Sequence, residues 1–139
     1  MAANTNPIFS RRGNVQGPTA VQGPTAVTAQ DGTGSLVSFF QADATEGSYV
    51  DHIRLRAVGS PAGSVFRLFV CSVTGAFTSG TSNTASNTWL IDEVSLPVVT
   101  LSQTGASTPV FIPCNFALDP GYRLLCGFGT STGAAGTGW

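Results

Sequence analysis

The residues that could do chemistry in this chain are few, and their spacing keeps them apart. Histidine occurs once, as His52 directly after Asp51. A single imidazole makes no metal cluster, and no HxH, HExxH or Cys/His spacing accompanies it. We expect His52 to be a surface or interface residue. The cysteines are Cys71, Cys114 and Cys126, an odd number with no CxxC. A disulfide scaffold uses an even and denser set, so these are expected as reduced, small core or strand residues. Asp92-Glu93 is the one adjacent carboxylate pair. Neighbours on a strand point to opposite faces, so these acids would not converge on one sugar as glycoside hydrolysis requires. Asp31-Gly32-Thr33-Gly34 carries too few ligands for calcium or phosphate and reads as a turn. A Ser/His/Asp triad has no sequence signal for its oxyanion half. We therefore expect no enzyme, no metal and no cofactor.

The basic residues are six arginines, with no lysine. Arg54 and Arg56 alternate with Ile53, Leu55 and Ala57, so they share a strand face with His52. Arg67 follows on the next strand. The planar guanidinium suits bidentate pairing with carboxylates. Asp92, Glu93, Asp43 or Glu46 could supply these, from a neighbouring subunit or across strands within one subunit. In Val65–Cys71, Phe66, Leu68 and Val70 share one face, while Val65, Phe69 and Cys71 share the other with Arg67. That second face is too apolar for open water, so either another layer or a partner subunit covers it. The candidate interface set is Arg54, Arg56, Arg67, Val65 and Phe69, joined by Pro18 and Pro24 of the N-terminal segment.

These residues must be positioned by strands. From Pro24 onward, short β-rich runs alternate with Gly, Pro, Asn, Ser and Asp clusters. Strands are expected at 24–30, 35–41, 50–58, 64–73, 88–96, 98–103, 109–112 and 121–129. No window shows a helical apolar period bounded by caps. Residues 50–57 and 65–71 are expected to form a hairpin around the turn Gly59-Ser60-Pro61-Ala62-Gly63. Asp119-Pro120-Gly121-Tyr122 is a further turn signal. The hydroxyl-rich stretch Gly75–Asn87 is expected to be a long mobile or functional loop. The fold class is all-β, a single β-sandwich or jelly-roll domain over 24–139, with an extended N-terminal arm over 1–23. That arm contains the duplication Val15-Gln16-Gly17-Pro18-Thr19-Ala20 and Val21-Gln22-Gly23-Pro24-Thr25-Ala26. Its prolines and glycines disfavour helix, so it is expected to be extended, either as a tail or lying on a neighbouring subunit.

Composition narrows the function classes. Charged residues are 9% of the 139, against about 25% in average soluble domains. Apolar residues reach 42%, which is the reverse of a disordered chain. Six arginines against seven acids supply no basic footprint for nucleic acid. No run of about 18 apolar residues exists, so no transmembrane helix is expected. The first residues have no apolar h-region, so no signal peptide is expected, and synthesis and assembly in a cytoplasm is the simplest reading. Few charges and many small hydroxyl residues suit a chain whose surface is covered by neighbours.

Several stretches carry a resemblance when taken in order. They are Thr5-Asn6-Pro7-Ile8-Phe9, Ile53-Arg54-Leu55-Arg56-Ala57, Arg67-Leu68-Phe69, Glu93-Val94-Ser95-Leu96-Pro97 and Leu118-Asp119-Pro120-Gly121-Tyr122. This order resembles small structural proteins of tailed bacteriophages, above all capsid decoration (cement) proteins. The resemblance implies a virion component assembled in the host cytoplasm, bound to the major capsid protein, and homo-oligomeric with a trimer favoured. It implies no catalytic residues, no nucleic acid and no membrane. In that family the pattern runs past a Gly-Trp into one more strand; this sequence stops at Trp139, so either it is truncated there or that strand is absent. Two other readings are a tail, fibre or baseplate part, and a carbohydrate-binding module for host attachment. The last would stack sugars on Trp89, Tyr49, Tyr122 and Trp139 beside the Gly75–Asn87 loop.

Overall fold

The computed structural model describes Gly23 and residues 25–139. The expected arm, with Pro18, and Pro24 lie outside the described residues, Gly23 apart. Six strands form: β1 (Val37–Gln41), β2 (Ser48–Leu55), β3 (Ser64–Cys71), β4 (Thr88–Leu96), β5 (Val110–Leu118) and β6 (Arg123–Phe128). All pairings are antiparallel. They make a four-stranded sheet in the order β1-β6-β3-β4 and a two-stranded sheet of β2 and β5. Among the described residues there is no helix.

The position of β3 follows from its sequence. A strand apolar on both faces must be covered on both, and β3 sits inside the larger sheet between β6 and β4. Its inward side chains Phe66 and Leu68 join Leu124, Cys126 and Phe128 of β6 against Ile53, Ile112 and Leu118 of the smaller sheet. Phe66 and Phe128 are register partners whose rings meet edge to face at 5.6 Å. On the opposite face, Phe69, Cys71 and Leu125 are covered by Val27, Leu36 and Phe77. The second cover is thus the chain's own, built from the segment before β1 and the long loop after β3.

That loop is held by specific bonds. Asn83 is buried, donates from Nδ2 to the carbonyls of Gly32 (2.8 Å) and Gly34 (2.9 Å), and accepts from the Gly80 amide. Gly32 has a φ of 87°, and a Cβ there would collide with the Thr88 carbonyl. The Asp31 turn closes locally, with Asp31 Oδ1 accepting from the Thr33 amide and hydroxyl.

The expected hairpin between residues 50–57 and 65–71 does not form. β2 pairs with β5, and β3 pairs with β4 and β6. The connection between β2 and β3 instead passes from one sheet to the other. Along it, Val58 bridges to Gly138 and the Ala62 amide donates to the Thr132 carbonyl. The reason lies in the burial demands: β2 is apolar on one face and serves as a cover, whereas β3 needs two covers. The expected strand at 98–103 is also absent. Pro97 removes an N–H, and Val98 and Leu101 stay exposed. Described residues of 24–30 form no strand, although the Val27 amide donates to the Phe128 carbonyl. β5 is longer than the expected 109–112 because it continues through Pro113 and a bulge. Between the pairs Val50↔Phe116 and His52↔Pro113, one residue of β2 faces two of β5. Asn115, at φ 51°, accommodates the extra residue.

Arg67 ties the second cover to the sheet. Its Nε donates to Glu93 Oε1 at 2.7 Å across the β3–β4 pair, and its Nη1 donates to the Val27 carbonyl at 2.8 Å. The Arg67 hydrogen bond holds the Glu93 carboxyl below its ordinary value, helped by an N–H from Gln30. A carboxyl lowered in the native state binds protons more readily when unfolded. Its contribution is therefore present at neutral pH and lost as pH falls through the lowered native value. We predict that the urea midpoint falls on acidification below the ordinary carboxylate range, and that Glu93→Gln flattens this fall. An unchanged acid slope in Glu93→Gln would remove the pair from the pH response. We also predict that Phe69→Ala lowers unfolding free energy by about 3–5 kcal/mol, the range for emptying a phenyl-sized core site. A loss under about 1 kcal/mol in denaturant titration would show that the second core is not part of the cooperative unit.

Candidate functional site

Two surfaces gather the side chains that could engage another molecule. The first is the outer face of the β2–β5 pair. Tyr49, Asp51, His52 and Arg54 of β2 point outward there, beside Phe111, Pro113 and Asn115 of β5. Phe111 is 56% exposed. The Arg54 guanidinium lies 5.6 Å from its ring centroid, and the His52 ring is tilted against the same ring at 5.8 Å. An exposed cation–π contact of this kind is worth about 0.5–1 kcal/mol. His52 Nδ1 and Asp51 Oδ2 are 2.6 Å apart. The alternation expected for His52–Ala57 holds, with Ile53 buried and Arg54 and Arg56 exposed. Neither arginine has a carboxylate partner among the described residues.

The second surface is a cleft of about 350 Å³ between the two sheets. Leu68, Val70 and Ile91 form its apolar floor, Cys114 and Phe116 its opposite wall, and Asp92 and Asp119 its acidic groups. Trp89, the register partner of Val70, is 47% exposed, and Ile91 is 43% exposed. The larger sheet thus extends its inner face past the cover that β5 provides. Burial raises the Cys114 thiol above its ordinary pKa, and the nearby Asp92 charge raises it further. A thiol shifted in this direction is a weaker nucleophile at neutral pH. Cys126 is buried and pushed up to about 12 by desolvation. All three cysteines are free.

The other site residues expected from sequence are dispersed. Val65 is half-buried, and Phe69 is fully buried in the second core. Phe69 is therefore withdrawn as an interface residue, because its own chain covers it. Arg67 is engaged within the chain, which realises the cross-strand alternative. Pro18 and Pro24 lie outside the described residues. Glu93 faces Arg67 while Asp92 faces the cleft, so the two acids diverge as alternation requires. The four proposed sugar-stacking residues do not gather on one surface. Trp139 is buried in the main core, Tyr122 lines the cleft, and Tyr49 and Trp89 belong to different sheets.

Sequence reading missed Phe111 and Arg123. Phe111 was legible in the alternation Phe111, Pro113, Asn115, Ala117 against Ile112, Cys114, Phe116, Leu118. Arg123 donates to the carbonyls of Val73 and Gly75 and lies over the Phe77 ring, bracing the loop. One further string, Gly129-Thr130-Ser131-Thr132-Gly133, has the G-x-S-x-G spacing. No helix follows it, so it lacks the strand-to-helix elbow that exposes a nucleophile, and Ser131 Oγ donates to the Gly133 carbonyl. Among the described residues no group of three or more His, Cys, Asp or Glu could hold a metal ion.

Comparison of the chain with family models, with curated proteins and with solved structures finds no match.

Since the Asp92 charge is the second cause of the Cys114 shift, Asp92→Asn should move the pH–rate profile of Cys114 alkylation part of the way down. Burial keeps the remainder. A profile that does not move would place the Asp92 charge too far from the sulfur to act on it.

Proposed function

We propose that this chain is a structural subunit of a virus particle, of the capsid decoration kind, bound to the major capsid protein. The ordered motifs support the reading from sequence. The strand pairing supports it from the fold, and it is the observation that carries the reading. β1 pairs with β6, β2 with β5 and β3 with β4, each pair nested inside the one before. A long antiparallel ribbon rolled onto itself gives this nesting, and we read it as a β-sandwich of jelly-roll type. An eight-stranded roll has one more pair inside β3–β4, where this chain has its 72–87 connection. Jelly rolls build viral capsid, lectin and cupin domains, and the ordered motifs favour the first of these.

The chemistry is consistent with assembly. The smaller sheet presents an exposed aromatic and an arginine without a carboxylate partner, the larger one leaves apolar side chains uncovered, and few charges oppose close contact. In this reading each subunit bridges neighbouring shell proteins, and many weak contacts sum to a stabilised head. The test is a copy count in purified particles by quantitative mass spectrometry. Hundreds of copies per particle support head decoration, a few to dozens indicate a tail, fibre or baseplate part, and absence from particles overturns the proposal.

A further inference from the structure

We infer that the cleft between the sheets receives residues Pro7-Ile8-Phe9-Ser10-Arg11-Arg12 from the N-terminal segment of a second copy of this chain.

The first part of the case is the cleft itself. The larger sheet has four strands and the smaller two, so the inner face of the larger sheet outruns its cover at the β3–β4 side. Val70, Ile91 and Trp89 are left there, and β5 ends the opposite layer with an edge that no described strand pairs. An apolar floor beside an open strand edge suits an extended apolar segment. Two carboxylates, Asp92 and Asp119, line the same cleft, and no described residue forms an ion pair with either.

The second part is composition. Residues 1–22 precede the described fold, and their only large aliphatic and aromatic neighbours are Ile8 and Phe9. These are followed after one residue by Arg11 and Arg12, the two remaining arginines of the chain. An apolar pair trailed by two guanidinium groups complements an apolar cleft that carries two carboxylates. Pro7 keeps the segment from entering as a helix interior and suits an extended entry.

The third part is reach, and it selects a second copy. Gly23 lies beside Thr132, past the Phe128 end of β6 and on the side of the second core. The cleft lies at the Tyr122 end of β6 and on the other side of the same sheet. Arg12 is eleven residues from Gly23. At about 3.3–3.6 Å per residue a fully taut chain spans at most about 40 Å. A path along the six residues of β6 takes about 20 Å, two strand spacings to the β4 edge about 10 Å and the descent to the inner face about 10 Å, which together use that length. A neighbouring copy can present its cleft at any distance the segment spans. This exchange does not depend on the particle reading.

Cys114 on the cleft wall reports occupancy in the full chain. With the segment docked, iodoacetamide labelling of Cys114 should slow as protein concentration rises, and sedimentation should show self-association over the same range. The Ile8→Asp, Phe9→Asp double variant should speed labelling at least tenfold and return the chain to monomers. Its urea midpoint under dilute, monomeric conditions should be unchanged, since both sites precede the described fold. Arg11→Glu with Arg12→Glu should weaken association, and adding Asp92→Arg with Asp119→Arg should restore it. Unchanged labelling and mass in the Ile8/Phe9 variant would overturn the inference. Protection independent of concentration would overturn the assignment to a second copy. Chains that exchange segments yet are missing from particles would leave the inference standing and remove the virion reading.

Discussion

The whole arrangement turns on a strand that buries side chains on both of its faces. Phe66 and Leu68 face one way along β3, Phe69 and Cys71 the other, and all four are buried. Hydrogen bonding along both edges of β3 is satisfied by β6 and β4, but hydrogen bonding covers no side chains. Two independent covers must be found from the rest of the chain. One is the β2–β5 pair, a regular layer. The other is irregular, made of the residues before β1 and the loop after β3. Irregular covers expose backbone polar groups to burial, and each needs a partner. Asn83, Arg67 and Arg123 supply those partners by binding carbonyls of the cover itself. The arginines of the larger sheet are therefore architectural, while Arg54 of the smaller sheet and Arg56 just after it have no carboxylate partner among the described residues.

The uneven division of strands follows from the same constraint. The chain crosses between sheets four times, after β1, β2, β4 and β5, and stays within a sheet only from β3 to β4. The crossings after β1 and β5 brace each other: the Ala42 amide donates to the Tyr122 carbonyl, and the Gly121 amide to that of Asp43. At Gly47, with φ 74°, the chain passes so close to the Leu118 carbonyl that a side chain would collide with it. Tight joints at this end of the small sheet fix where β2 begins and β5 stops. They leave its far edge, broken by Pro113 and the Asn115 bulge, as the boundary of the cleft.

Much of this was legible in the sequence, and what was not had a physical cause. Alternation located β2, and the two-sided apolarity of β3 announced a second cover. The turn at Asp119–Tyr122 was marked by its own residues. Pairing was another matter. Gly59–Gly63 looks like a hairpin turn, yet local turn grammar does not say which sheet the next strand joins. Only the demand of β3 for a central place decides that, and it is a demand of the assembled fold. Pro113 cut β5 short on paper because proline argues against strand interiors, while an edge strand tolerates it. The cleft could not be read at all, since its walls come from segments far apart in sequence. Its acids, Asp92 and Asp119, are unremarkable until β4 and β5 face one another.

The nesting of strand pairs also sets an order of events for a chain that starts unfolded. Bringing together residues distant in sequence costs entropy before any contact repays it, and the cost grows with the length enclosed. β3 and β4 enclose the shortest connection, β2 and β5 a longer one, and β1 and β6 most of the described chain. Each inner closure brings the next pair nearer, so the ribbon zips outward from the β3–β4 hairpin. High contact order makes such zipping slow. During that interval the apolar residues on both sides of β3 stand without either of their covers. The feature that organises the finished fold is thus also its most vulnerable moment of synthesis, when another chain's strand could be captured in place of its own.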